Sequence, residues 1–223
     1  MSRDIIYEDN HLIAVNKKPG EIVQGDKTGD EPLSEAVKAY LKLTYAKPGN
    51  VFCGVIHRLD RPVSGVVLFS KTSKALSRMN TLFREREIQK IYWTIVRNKP
   101  AKQEEELTHY LIKNEKQNKS YISYPGKPGA LACTLRYKLL KSSDNYSLLE
   151  IYPLTGRHHQ IRVQLAAVDM PIIGDVKYGD KRANEDASIC LHARELCFTH
   201  PVSGHKICIK APIPDQKYWH LFD

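Results

Sequence analysis

The chain has 223 residues, 42% hydrophobic and 26% charged, which is ordinary globular usage and long enough to bury a sizeable core. No apolar run approaches the ~18 residues needed to cross a bilayer, and the opening MSRDIIYEDN has no cationic segment leading into an apolar one, so neither a membrane span nor a secretory signal is expected. The net charge is +9 and unevenly spread: residues 57–102 carry 11 Lys or Arg against three Asp or Glu, while residues 1–56 net −1 and residues 103–223 net +2.

In chain order, residues 5–7 and 12–16 read as short strands, broken at Asp9-Asn10 and stopped by Lys18-Pro19-Gly20. A helix follows Pro32 with Leu33, Val37, Tyr40 and Leu41 on one face, and Lys47-Pro48-Gly49-Asn50 is a loop. A strand around residues 51–56 leads into the polar segment 57–64 and the apolar run 65–69. Thr72 or Ser73 caps a helix whose inner stripe is Leu76, Met79, Leu82 and Phe83, with Lys74, Arg78, Arg84 and Arg86 on its other face. That concentration of charge fits a polyanion, nucleic acid above all, or equally a solvated helix face. Residues 89–96 form a strand in which Ile91, Trp93 and Ile95 alternate with Lys90, Tyr92 and Thr94.

Residues 113–119 are a polar turn, and 132–140 and 146–152 pair around Ser142-Ser143-Asp144-Asn145. A helix from about His158 buries Ile161, Leu165 and Val168, and strands at 190–199 and 206–211 close the chain. No repeat, low-complexity tract or Gly/Ser linker divides it, so a single domain over residues 1–223 is expected. Strands alternating with turns, and only three helices, predict an α+β fold with a mixed, mostly antiparallel sheet.

Three segments set polar groups between apolar ones. In His57-Arg58-Leu59-Asp60-Arg61-Pro62-Val63-Ser64-Gly65 an aspartate follows a strand, flanked by arginines that favour the charged carboxylate. Such a group serves as nucleophile or general base, and the neighbouring cations argue against a metal; a structural Asp–Arg pair explains the same spacing. The tetrad His57-Arg58-Leu59-Asp60 is not a kinase loop, because its order is wrong and no Gly-rich loop precedes it. The second segment is Leu154-Thr155-Gly156-Arg157-His158-His159-Gln160-Ile161-Arg162-Val163-Gln164, where a helix starting near His158 puts His158 and Arg162 on one face. Its N-terminus suits a phosphate or carboxylate, and the adjacent histidines do not converge on a metal. The third is Lys90-Ile91-Tyr92-Trp93, whose tyrosine either stacks on a base, relays a proton or simply packs. The five cysteines are odd in number and lack a CxxC, so free thiols in a reducing, cytoplasmic setting are expected. Cys190, His192, Cys197, His200 and Cys208 match no zinc finger or ribbon spacing and read as strand residues.

HRLDRPVSGVVLFSKT, QKIYW, LTGRHHQIRVQLA, PIIGDVKYG and LHARELCFTHP, in this order, resemble RNA pseudouridine synthases of the RluA family over about residues 4–213. Asn16-Lys17-Lys18-Pro19-Gly20 looks like that family's start. The resemblance implies isomerisation of uridine in ribosomal RNA or tRNA with neither metal nor organic cofactor. It also implies a mostly antiparallel sheet with a central cleft flanked by helices. By motif position Asp60 matches the essential aspartate, and Tyr92 the tyrosine that stacks on uracil and moves a proton. Arg162 matches the arginine paired with that aspartate, and Arg58 one that enters the RNA in place of the extruded nucleotide. Arg61, Lys74, Arg78, Arg84 and Arg86 are then expected on phosphates. His158 stands where Ser, Thr or Lys is usual and Gln164 where His is common, departures expected to bear on RNA fit. The chain is expected to be a monomeric catalytic domain that selects RNA without an N-terminal accessory domain. A silent RNA chaperone on the same fold is the rival reading. A glycosidase would need a second carboxylate, which the Thr155–Gln164 stretch lacks.

Overall fold

The computed structural model describes residues 4–26 and 29–222. The fold is α+β with mostly antiparallel pairing, and the chain divides into two compact units: residues 1–90 with 193–212, and residues 91–192 with 213–223. No described helix is long and apolar enough to cross a membrane.

In the first unit β1 (Ile5–Glu8) and β2 (Leu12–Lys17) form a hairpin closed by Asp9, whose Oδ1 accepts the His11 and Leu12 amides at 2.7 Å. β2 runs antiparallel to β4 (Ser64–Ser70) over six pairs from Leu12–Ser70 to Lys17–Gly65, and β3 (Gly54–Val55) pairs β4 at Ser70 and Phe69. Because side chains on a strand alternate faces, β2 and β4 feed two cores. Ile13, Val15, Val67 and Phe69 meet Leu33, Val37 and Leu41 of α1 (Leu33–Thr44). Leu12, Ala14, Val66 and Leu68 meet Ala75 and Met79 of α2 (Ser73–Glu85). β4 is therefore buried at every residue, as the apolar run 65–69 at its centre requires. Thr72 Oγ1 caps α2 by accepting the Ala75 amide at 3.1 Å. The expected strand at 51–56 shrinks to two residues, and Ala75 joins the inner stripe of α2.

The chain passes to the second unit within β5 (Gln89–Arg97) and returns within β10 (Leu191–Thr199). Here β5 pairs β9 (Tyr146–Pro153), β9 pairs β8 (Leu131–Ser142), β8 pairs β6 (Glu104–Asn114), and β6 pairs β7 (Lys119–Ser123), all antiparallel. α3 (Gln160–Ala167) packs Val163 on Leu111, Cys133 and Tyr178. The helix begins at Gln160 because His159 takes a left-handed φ of 54°, so His158 lies outside it and shares no helical face with Arg162.

β10 pairs β11 (Lys206–Lys210) in the first unit, with Cys197 opposite Cys208. The expectation of free thiols fails there: strand register places these two side by side, and they form a disulfide. Cys53, Cys133 and Cys190 are free.

Candidate active site

Asp60 sits half-buried at the head of a turn closed by the Val63 amide on its own carbonyl at 3.0 Å. The turn is clamped from β2. Lys17, 1% exposed, donates to the carbonyls of Lys18, Arg61 and Val63 at 3.0, 3.0 and 2.7 Å, and the Gly20 amide adds a bond to Arg61 O at 2.8 Å. Three acceptors suit the three protons of an ammonium. Burial pushes the Lys17 pKa down to about 8, while the charges of Glu21 and Asp60 act to keep the proton on. Gly65 ends the segment at φ +113°, where a Cβ would stand 2.3 Å from the Ala193 carbonyl oxygen, so no side chain fits. Pro62, Gly65 and a buried lysine thus hold the main chain of this segment.

His57 anchors the other end of the segment. Its ring stacks on Phe83 at 5.2 Å and its Nε2 accepts the Leu68 amide at 3.1 Å, which places the proton of the neutral ring on Nδ1. Burial, with Lys90 adding to it, pushes its pKa down to about 4. Folded His57 therefore takes up a proton at lower pH than in the unfolded chain. Its contribution to stability is full above about pH 6.5 and lost as pH falls towards 4. Urea melts across that range should show about 2–3 kcal/mol of this loss in the wild type and not in His57→Gln. Parallel curves for the two proteins would refute the assignment.

Of the expected phosphate contacts, Arg58 is exposed and Arg61 is exposed with its guanidinium on Asp30. Lys74 and Arg78 are exposed one turn apart on α2, Arg78 also reaching the Pro201 carbonyl at 2.9 Å. Arg84 is exposed and turns back to Thr81 Oγ1 at 3.2 Å, and Arg86, also exposed, ends the helix at φ 62°. All six lie in the first unit with Asp60.

Tyr92 and Arg162 belong to the second unit. Tyr92 is half-buried on β5 opposite Ile151. The expected polar face of β5 closes beyond it: Thr94 is fully buried and donates to the Cys190 carbonyl at 2.8 Å. Arg162, 5% exposed, grips Asp175 with two bonds, Nε to Oδ2 at 2.6 Å and Nη2 to Oδ1 at 2.9 Å, and lies 5.1 Å from the Tyr178 ring centre. Tyr178 Oη accepts the Ser120 amide at 2.8 Å and shares a hydrogen bond with His159 Nδ1 at 2.8 Å. Gln160 fixes the preceding loop: its Oε1 accepts from Thr155 Oγ1 at 2.7 Å and the Arg157 amide at 3.0 Å, and its Nε2 donates to Thr134 O at 3.0 Å.

Two buried charged residues that brace these segments escaped the sequence reading. Lys17 and Asp175 stand in the quoted motifs Asn16-Lys17-Lys18-Pro19-Gly20 and PIIGDVKYG, but a charged residue beside apolar ones carries no mark of what it binds across the fold. Of the two departures, Gln164 is fully buried and its Nε2 donates to Leu107 O at 2.9 Å, bracing α3. His158 is hydrogen-bonded through Nδ1 to Ser120 Oγ at 2.8 Å.

A family model described as RNA pseudouridylate synthase matches residues 11–167. The chain is 33% identical over 218 residues to the ribosomal large subunit pseudouridine synthase C of Vibrio vulnificus, covering 95% of this chain and 66% of that protein. It is 34% identical over 212 residues to the protein of the same name from Rickettsia felis, covering 94% and 67%. The chain thus spans about two-thirds of the length of these relatives. Among solved structures, human RNA pseudouridylate synthase domain containing 4 superposes with a TM-score of 0.81 at 24% identity, covering 96% of this chain and 90% of that one. Human RNA pseudouridylate synthase domain containing 1 does so with a TM-score of 0.72 at 24% identity, covering 96% and 84%. At that identity the likeness is one of fold.

Proposed function

Because the chain belongs to the RNA pseudouridylate synthase family, we propose that it isomerises uridine to pseudouridine in RNA, with Asp60 as the catalytic carboxylate. The observation that carries this reading is the clamp of Lys17 and Gly20 on the Asp60 turn, which fixes the backbone of the one carboxylate in the His57–Gly65 segment. The reaction breaks the bond from uracil N1 to ribose C1′ and makes one from C5 to C1′, with no atom gained or lost. Whether Asp60 attacks C1′, adds to C6 or assists a glycal route, it does so as a carboxylate, and Arg162 is the arginine the family resemblance assigns to the reaction. Tyr92 stacks on the uracil and takes the proton from C5. The uridine leaves the helix stack at a cost of a few kcal/mol, which Arg58 in the gap and the basic side chains on phosphates offset.

Large-subunit ribosomal RNA is the substrate class this reading favours, since the similar bacterial proteins carry that name. A monomer working in the cytoplasm completes the proposal. Tritium release from RNA labelled at uridine C5, prepared free of pseudouridine, tests it. Release from ribosomal RNA and not from tRNA is the expected result; release from tRNA alone would move the substrate, and release from neither would leave an RNA-binding protein. A second prediction concerns the basic patch. Lys74→Ala with Arg78→Ala should weaken RNA binding and lower the slope of log K against log salt by about two. An unchanged slope in filter binding would remove these residues from the RNA contact.

A further inference from the structure

The ladder of β10 and β11 sets Glu195 to Thr199 against Lys210 to Lys206. Residues two apart on a strand share a face, so Glu195 and Cys197 stand together facing Lys210 and Cys208. Glu195 Oε1 lies 3.2 Å from Cys197 Sγ, and its Oε2 lies 3.3 Å from Lys210 Nζ. A Glu195 oxygen and the two sulfurs are all within 4.8 Å of one another, the one such group of three His, Cys, Asp or Glu ligands among the described residues. Cys197 is buried and Cys208 exposed, so the pair opens to solvent on the side of Cys208. Ten residues lie between the cysteines along the chain, a spacing that belongs to no finger; here two paired strands do what a tight turn does elsewhere.

We propose that the reduced pair Cys197 and Cys208, with Glu195, binds one thiophilic divalent cation of the zinc or cadmium kind, and that the disulfide is the closed state of this site. Opening it consumes two molecules of a thiol reductant. The first attacks Cys208 Sγ as a thiolate and breaks the S–S bond; the second releases the mixed disulfide as oxidised reductant, leaving two cysteine thiols. The cation then replaces the two thiol protons, which pass to solvent, and forms two metal–sulfur bonds, with a Glu195 oxygen as third ligand and water as fourth. The backbone ladder holds the cysteines opposite one another in both states. Side-chain rotation has only to part the sulfurs to about 3.8 Å, the separation of two thiolates each ~2.3 Å from a tetrahedral zinc. Lys210 already balances one Glu195 oxygen, so the carboxylate alone does not recruit a hard cation, and the thiolates set the preference for a soft one.

The test is a cadmium titration of the reduced full chain, freed of reductant without oxygen and followed by cadmium–thiolate ultraviolet absorption. One equivalent should bind at this site, the disulfide form should lack it, and C208S and C197S should each weaken it at least tenfold. E195Q should weaken it several-fold. Cys53, Cys133 and Cys190 remain in every variant and give a constant background. Wild-type binding retained in both serine variants overturns the proposal, as does a reduced protein that takes up no cadmium. A second readout needs no variant: zinc should slow alkylation of Cys208 by iodoacetamide at least tenfold, and an unchanged rate also overturns the site.

Discussion

Asp60→Ala should lower turnover at least about 10⁴-fold, the scale seen when a nucleophile or its equivalent is removed, while RNA affinity stays within about threefold. The fold should survive, because the bonds that hold the turn are made by main-chain carbonyls. The Val63 amide, the Gly20 amide and the Lys17 ammonium all reach backbone atoms that alanine keeps. Tritium release and filter binding on one preparation separate the two effects. Turnover above about a hundredth of wild type would take Asp60 out of the chemistry, and a matching loss of affinity would make it a binding residue instead.

Asp175→Asn should cost about 3–5 kcal/mol of stability, because it leaves the buried Arg162 charge facing a neutral partner. Arg162 and Asp175 are 5% and 1% exposed and joined by two hydrogen bonds, so water replaces little of what is lost. Gly174 beside it stands at φ +87°, with no room for a Cβ against Ser188 O, so the backbone next to Asp175 is closely packed. Urea unfolding measures the loss, and a change under about 1 kcal/mol would show the pair to be worth no more than a surface one. The double variant Arg162→Met, Asp175→Leu should recover most of the stability and none of the activity.

Much of this was legible because local pattern and burial agree. The heptapeptide of β4 carries the apolar run 65–69 between two serines and is buried end to end, and the stripes of α1 and α2 point where 3.6-residue periodicity puts them. β6 was missed, and its chemistry explains why. Its opening Glu104-Glu105-Glu106 reads as solvated chain until β8 lies alongside, when Glu104 meets Lys138 at 3.4 Å and Glu106 meets Arg136 at 3.6 Å in direct register. The aspartate at 60 announced itself through its Arg and Gly neighbours, whereas Lys17 and Asp175 acquire their meaning from partners 44 and 13 residues away. The cysteine pair was hidden the same way, by a register that only the folded strands define.

The first unit is assembled from two stretches of chain separated by the whole of residues 91–192. Its core under α2 draws Leu196, Phe198, Ile209 and Ala211 from the second stretch, and Gly65 is fitted against Ala193. During synthesis the His57–Gly65 segment therefore emerges long before the residues that complete its surroundings. The contiguous residues 91–192 can pack while the first unit is still waiting for its last strands. Long-range closure of this kind is slow, and it makes the emergence of residues 193–212, rather than the appearance of the motif, the moment at which the Asp60 turn acquires its final support.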